Sequence, residues 1–251
     1  MVDRDGELGG GIIAGALAYR LFIWLLPLAL VAVAGLGIAA DSADRSPESA
    51  AESAGLGGLV SASIAGAAKS SNRWYALLVG IPVLVFVTRS VLRVLIGAHR
   101  LVWADVRAAA PRPTVVGTLR LLVLLLCLFV LSGLASAVRE SSAAIGLLSL
   151  VVIGLPYAGV WLLVSLRLPH RGAPTSALIP GALLFGLGVQ LVHAFTAYFL
   201  EPWALTKQGT YGALGVAAVL LLALFVFARL IVAAAVLNAT LWQRRARPAG
   251  P

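Results

Sequence analysis

Leu121–Val138 reads LLVLLLCLFVLSGLASAV, a run without a single charge, closed at its ends by Arg120 and Arg139. An α-helix rises about 1.5 Å per residue and a bilayer core is about 30 Å thick, so a span needs about 20 apolar residues. The run is continuous rather than alternating, which argues against a half-buried strand and against a transmembrane barrel. A helix apolar on every side has to be covered all round in water. In lipid it needs no cover, and its backbone hydrogen bonds are satisfied within the segment.

Outward from this stretch the same character recurs. Uncharged or nearly uncharged runs occupy about 12–40, interrupted by Arg20, and 74–96, uncharged to Thr88 and continuing past Arg89. Others follow at about 143–166, 175–200 and 211–242, the last interrupted only by Arg229. With the opening stretch extended to 117–138, the reading is an all-α membrane protein: six transmembrane helices in a single polytopic domain covering 1–251. An outer loop would cover 41–73 and a basic inner connection 89–120. Composition agrees. Of 251 residues 61% are hydrophobic and 12% charged, whereas soluble domains carry about a quarter charged residues. One cysteine, Cys127, gives no disulfide framework. Met1–Gly10 holds three acids and one arginine, unlike the basic start of a secretory signal, so no cleaved peptide is expected.

The net charge of +9 would point to nucleic acid in a soluble protein. In a membrane protein it points to basic cytoplasmic segments. With the N-terminus inside, twelve Lys and Arg fall on inner segments, five on outer ones, and Arg20 and Arg229 lie within spans. Both termini are therefore expected inside. Trp74, Tyr75, Tyr198, Trp203 and Tyr211 then fall at outer ends, and Trp103 and Trp242 at inner ends, as in an interfacial aromatic belt.

In the outer loop, Ser46-Pro47 resembles a helix start, and Leu56, Leu59, Val60, Ile64 and Ala67 recur at helical spacing. Three glycines among them oppose a helix, so both readings stay open. On the inner side Arg89, Arg93, Arg100 and Arg107 are spaced 4, 7 and 7. A helix continued to about Ala108 would align them as a basic ridge before Pro111 and Pro113 stop it. Two readings stand: topology and anionic lipid head groups, or an anionic ligand or partner docked on the ridge.

Several residues within spans are candidates for function. Arg20 and Arg229 have no acidic residue in any span to pair with, and an intramembrane arginine snorkels, pairs or meets water. They are candidates for an inward-open cavity that attracts an anion, or for snorkelling. Gln190, His193 and Thr196 form a polar cluster at steps of three, facing a cavity or bonding between helices. His99 and His170 are expected in solvated loops. Pro27, Pro82, Pro156 and Pro180 lie inside spans and are expected to kink them. Gly11 with Gly15, and Gly133 with Ala137, are small pairs suited to close helix contact. No GxSxG, HExxH or GxxxxGK[ST] occurs, and no His and carboxylate cluster suits a metal, so no enzyme, cofactor or metal site is expected.

Three further stretches carry a resemblance. Ala16-Leu17-Ala18-Tyr19 is followed eight residues later by Pro27. Ile179-Pro180-Gly181-Ala182 opens the fifth span. Thr210-Tyr211-Gly212-Ala213-Leu214-Gly215 leads through an apolar run to Leu237-Asn238-Ala239. Together they resemble the YihY/BrkB family of bacterial inner-membrane proteins, whose closing pattern reads tYGslG…GAELNAE. The resemblance implies six spans with cytoplasmic ends, and a structural role for Tyr19, Pro27, Pro180, Gly181, Tyr211, Gly212, Gly215 and Asn238. It departs at Val236, where the family has an acid, at Arg229, where the pattern is apolar, and at Arg20, commonly an aromatic. Members have been labelled virulence factors and ribonuclease BN, and the latter label is regarded as a misattribution.

The functional expectation is transport-like handling of an anionic solute or envelope lipid. The alternative is an envelope-maintenance or interaction protein without a transported substrate; an RNA-processing enzyme ranks last. The expected partners are the bilayer, anionic head groups at its inner face and an anionic small molecule or lipid, with no nucleic acid.

Overall fold

A computed structural model describes residues 6, 9–42, 73–104, 113–141, 146–195 and 201–246. They form six helices: α1 Gly10–Ser42, α2 Arg73–Val102, α3 Val115–Ser141, α4 Gly146–Ser165, α5 Thr175–Phe195 and α6 Glu201–Ala246. No strand occurs among the described residues. Five of the helices carry stretches long and apolar enough to cross a membrane, and α4 contributes a shorter apolar stretch, Ile153–Ser165. Residues 43–72 of the outer loop, where a short amphipathic helix is one of two open readings, lie outside the described residues.

Each helix packs on the next in sequence, and α6 returns to pack on α1, so the six close into a ring. α6 also touches α2, which draws α1, α2 and α6 together on one side. α3 makes the sparsest contacts with its two neighbours. The buried face of each helix looks into the ring, while Leu78 and Phe86 on α2 are 73% and 74% exposed. Large apolar side chains turned outward to this extent suit lipid rather than water.

The prolines interrupt no helix: α1 runs through Pro27, α2 through Pro82, α4 through Pro156 and α5 through Pro180. α2 ends at Val102, short of the expected Ala108. Trp103 closes a last turn on the His99 carbonyl, and Ala104 adopts a φ of 49°. A left-handed residue there ends the helical hydrogen bonding. Trp103, expected at the interface, is buried.

In lipid the apolar effect does not hold helices together, so close packing and polar contacts must. Three glycines on α5 serve this. A Cβ at Gly186 would strike the carbonyl of Gly154 and the side chain of Ala158 on α4. One at Gly181 would strike the Ala234 carbonyl on α6, and one at Gly188 the Leu230 side chain. By contrast Gly11 and Gly15, read from sequence as a contact pair, have nothing within 4 Å of such a Cβ. A polar link joins α1 to α2: Trp24 Nε1–H donates to Thr88 Oγ1 at 2.9 Å, and the Thr88 hydroxyl donates to the Leu84 carbonyl at 2.7 Å. Across the interior, Trp161 stacks on Phe185 with centroids 4.5 Å apart, and Phe185 meets Phe227 edge-on at 5.5 Å. These rings tie α4, α5 and α6 together.

Gly186→Ala should therefore lower the melting temperature of detergent-purified protein by several degrees. Gly159→Ala on α4, where an added Cβ meets nothing within 4 Å, should leave it unchanged. Differential scanning fluorimetry of both variants reads the contrast.

Candidate functional site

Two cavities lie along the loosely held helix α3. The first, about 550 Å³, sits where α3 begins and α4 ends. Thr114 fixes the start of α3: its Oγ1 accepts from the Gly117 N–H at 3.0 Å, a side-chain cap on a free helix donor. The opposite wall is the α4–α5 connection, where His170 Nδ1 lies 2.7 Å from the Leu168 carbonyl and the Ala173 N–H bonds the His170 carbonyl at 3.0 Å. Within this turn Arg171 and Gly172 adopt φ values of 52° and 72°. The left-handed region is unfavourable for an arginine by about 1 kcal/mol or more. Arg120, Arg167, Arg171 and His170 border the cavity, and no described lining residue is acidic. Its inner walls are apolar, from Leu92 and Ile96 on α2 to Leu124 on α3 and Val164 on α4.

The second cavity, about 270 Å³, lies inside the ring between α1, α3, α4, α5 and α6. Leu128, Phe129, Val189 and Phe227 contribute most of its character, and its described lining contains no charged group. Ser132 Oγ and Tyr157 Oη, 3.0 Å apart, join α3 to α4 in its wall. The two cavities follow one another along the same pair of helices. Leu124 lines the first and Leu125 the second, while Val164 and Tyr157 lie two turns apart on α4, about 10 Å. A cavity with a basic mouth and an uncharged chamber thus lie in succession along α3 and α4.

The residues singled out from sequence are distributed differently. Arg20 is exposed on α1 and Arg229 half-buried on α6, and neither lines either of these cavities. Gln190 is buried, and its Nε2 has no hydrogen-bond partner among the described residues. The side chain of His193 and the whole of Thr196 lie outside what is described. Arg89 and Arg93 are exposed on the side of α2 opposite its buried residues, with Arg100 half-buried in the same stripe; Arg107 lies outside the described residues. His99, expected in a solvated loop, lies in α2 and is buried, with Nδ1 3.1 Å from the Leu95 carbonyl and its ring 6.4 Å from Trp161. α2 runs six residues beyond position 96, and that extra length sets His99 against α4. Its partner half of the expectation, His170, is half-buried at the mouth. No group of three or more His, Cys, Asp or Glu that could hold a metal occurs among the described residues.

Another meeting of residues lies between α5 and α6. Asn238 on α6 is buried and reaches across to α5, where its Oδ1 accepts from the Gly181 N–H at 2.6 Å and its Nδ2 donates to the Leu178 carbonyl at 3.1 Å. Pro180 has no N–H, and its ring crowds the carbonyl of the preceding turn, so the adjacent backbone is open to a side-chain partner. Gly181 lets α6 come close enough for Asn238 to supply one. The model of the virulence factor BrkB family matches residues 7–251.

The chain belongs to the virulence factor BrkB family. No curated protein and no solved structure matches it. It is a membrane protein of apolar transmembrane helices. In this BrkB protein Pro180, Gly181 and Asn238 form one contact between α5 and α6. Pro27 is buried in α1, Gly215 is buried in α6, and Tyr19 is exposed; Tyr211 and Gly212 lie in α6 with side chains outside the description. Val236, in place of the family's acid, is wholly buried, where a carboxylate would need a partner.

Removing the Asn238 amide should weaken this contact. Asn238→Ala is expected to cost about 1 kcal/mol, within the range of interhelical hydrogen bonds in membranes. Asn238→Gln, longer by a methylene, should not restore it. Thermal unfolding in detergent measures both.

Proposed function

We propose that this BrkB protein is a six-span protein of the bacterial cytoplasmic membrane, with both termini inside, that moves an anionic lipid or lipid-like solute. One observation carries the reading: a cavity bordered by cations and a second cavity without charge lie in succession along the same two helices, α3 and α4. An ion alone gains nothing from apolar walls, and a neutral lipid gains nothing from arginines. An amphiphile with an anionic head and an apolar tail uses both. The sparse packing of α3 supports it, because a helix with few contacts can shift at little cost and join mouth to chamber. The chain's own groups in this reading bind and orient; no bond-breaking role is assigned to any of them.

The inner placement of the mouth rests on the distribution of Lys and Arg between segments, twelve against five. Arg20 and Arg229 stand apart from the mouth and chamber, so the first contacts of the anion fall to the mouth. A second reading draws on the outward stripe of Arg89 and Arg93, which suits a cytoplasmic partner of acidic character. Charge reversal there would strip such a partner from the purified protein.

The test is movement of a fluorescent anionic phospholipid between leaflets of reconstituted vesicles. Ser132→Trp with Leu128→Trp fills the chamber and should reduce the rate at least tenfold relative to the unaltered protein. An unchanged rate in the folded double variant contradicts the proposal.

A further inference from the structure

We infer that the cavity between the start of α3 and the end of α4 is a binding site for one anionic phospholipid, with Arg120, Arg167 and Arg171 holding its phosphate. The inference deepens the function proposed above and rests on its placement of these helices in a membrane.

Three features separate this cavity from a general excess of basic residues. The first is convergence. Arg120 comes from α3, and Arg167 and Arg171 from the α4–α5 connection, so arginines from two segments more than forty residues apart border one cavity of about 550 Å³. No described lining residue is acidic, so the site itself supplies no counter-charge. Planar guanidinium forks match phosphate oxygens two at a time, which a single ammonium does not.

The second is the form of the wall. Arg171 stands at a φ of 52° in a turn held by the His170 and Ala173 bonds. Glycine or asparagine would be cheaper at that backbone position. The turn sets a guanidinium at the rim at some conformational cost, which binding an anion would offset.

The third is polarity by depth. Below the arginines the wall turns apolar through Leu92, Ile96, Leu124 and Val164. A free phosphate would leave that surface unused, whereas an acyl chain covers it. Arg89 and Arg93 on α2, exposed like the three arginines of the cavity, provide the contrast: they lie opposite the buried residues of α2 and border no part of this cavity.

The experiment is native mass spectrometry of the full chain in neutral detergent, after exchange into equimolar phosphatidylglycerol and phosphatidylethanolamine with identical acyl chains. The unaltered protein should retain one phosphatidylglycerol in preference, by at least tenfold, since each cation near an anionic head group adds to the attraction. Arg120→Gln with Arg167→Gln and Arg171→Gln should abolish the preference, while Arg89→Gln with Arg93→Gln keeps it. Arg171→Gln alone, a smaller change that the fold tolerates more readily, should reduce the preference several-fold and supports the assignment if the triple variant does not fold. Equal retention of both lipids by the unaltered protein overturns the site. So does loss of the preference in the α2 variant to the same extent. Displacement of the lipid by millimolar inorganic phosphate overturns it as well, since the site would then take the free ion. Retained preference with no lipid movement in vesicles would instead contradict only the transport proposal.

Discussion

In hydrocarbon a backbone N–H or C=O without a partner costs several kcal/mol, and apolar side chains gain nothing by leaving lipid for one another. The first constraint makes every described apolar segment of this BrkB protein a helix. The second removes the force that would gather those helices. What gathers them is contact at short range, and α5 supplies most of it. Gly181 and Gly188 admit α6, and Gly186 admits α4. Asn238 then spans the α5–α6 contact with two hydrogen bonds, at the place where Pro180 loosens the local backbone. The closed side of the ring follows from these approaches. Its sparsest side is α3, a helix of leucines and valines that shows no comparable glycine contact or buried amide among the described residues, and that is where both cavities lie.

The consequence for function is a division of the molecule. α1, α2, α5 and α6 meet through polar links and close backbone contacts, and α4 joins them through Gly154, Gly186 and the Trp161–Phe185 stack. α3 leans on α2 and α4 and closes the ring through the Ser132–Tyr157 pair. A wall held this way is the part of the ring that moves with least loss of packing. In the proposed function, the basic mouth at one end of that wall and the uncharged chamber beside its middle are what such a movement would join.

Much of the fold was legible because membrane helices announce themselves by length. The charge-free run at Leu121–Val138 and its five counterparts locate the described helices to within a few residues at most ends. The exceptions have physical causes. α2 outran its apolar stretch, since Arg100 and His99 extend a helix that lies at the edge of the ring, and α6 starts ten residues before the apolar run, at Glu201. Apolarity marks where lipid is and says nothing about helix beyond it. Sites were less legible. Arg20 and Arg229 stood out because a charge within an apolar run is conspicuous, whereas Arg120, Arg167 and Arg171 lie at helix ends, where arginine serves topology in any membrane protein. Only the approach of α3 to the α4–α5 connection brings them to one cavity, and no sequence spacing contains that approach. The asparagine of the closing motif was visible as a motif residue, but its partner Gly181, 57 positions away, became visible through the geometry.

The central claim is that the chamber behind the basic mouth receives a lipid chain. Photo-crosslinking with an anionic phospholipid bearing a diazirine near the end of one acyl chain tests it most directly. Adducts mapped by mass spectrometry should fall on chamber residues such as Leu128, Val189 and Phe227, as well as on outward-facing ones such as Leu78 and Phe86. Adducts confined to the outward-facing residues, with none in the chamber, would contradict the account.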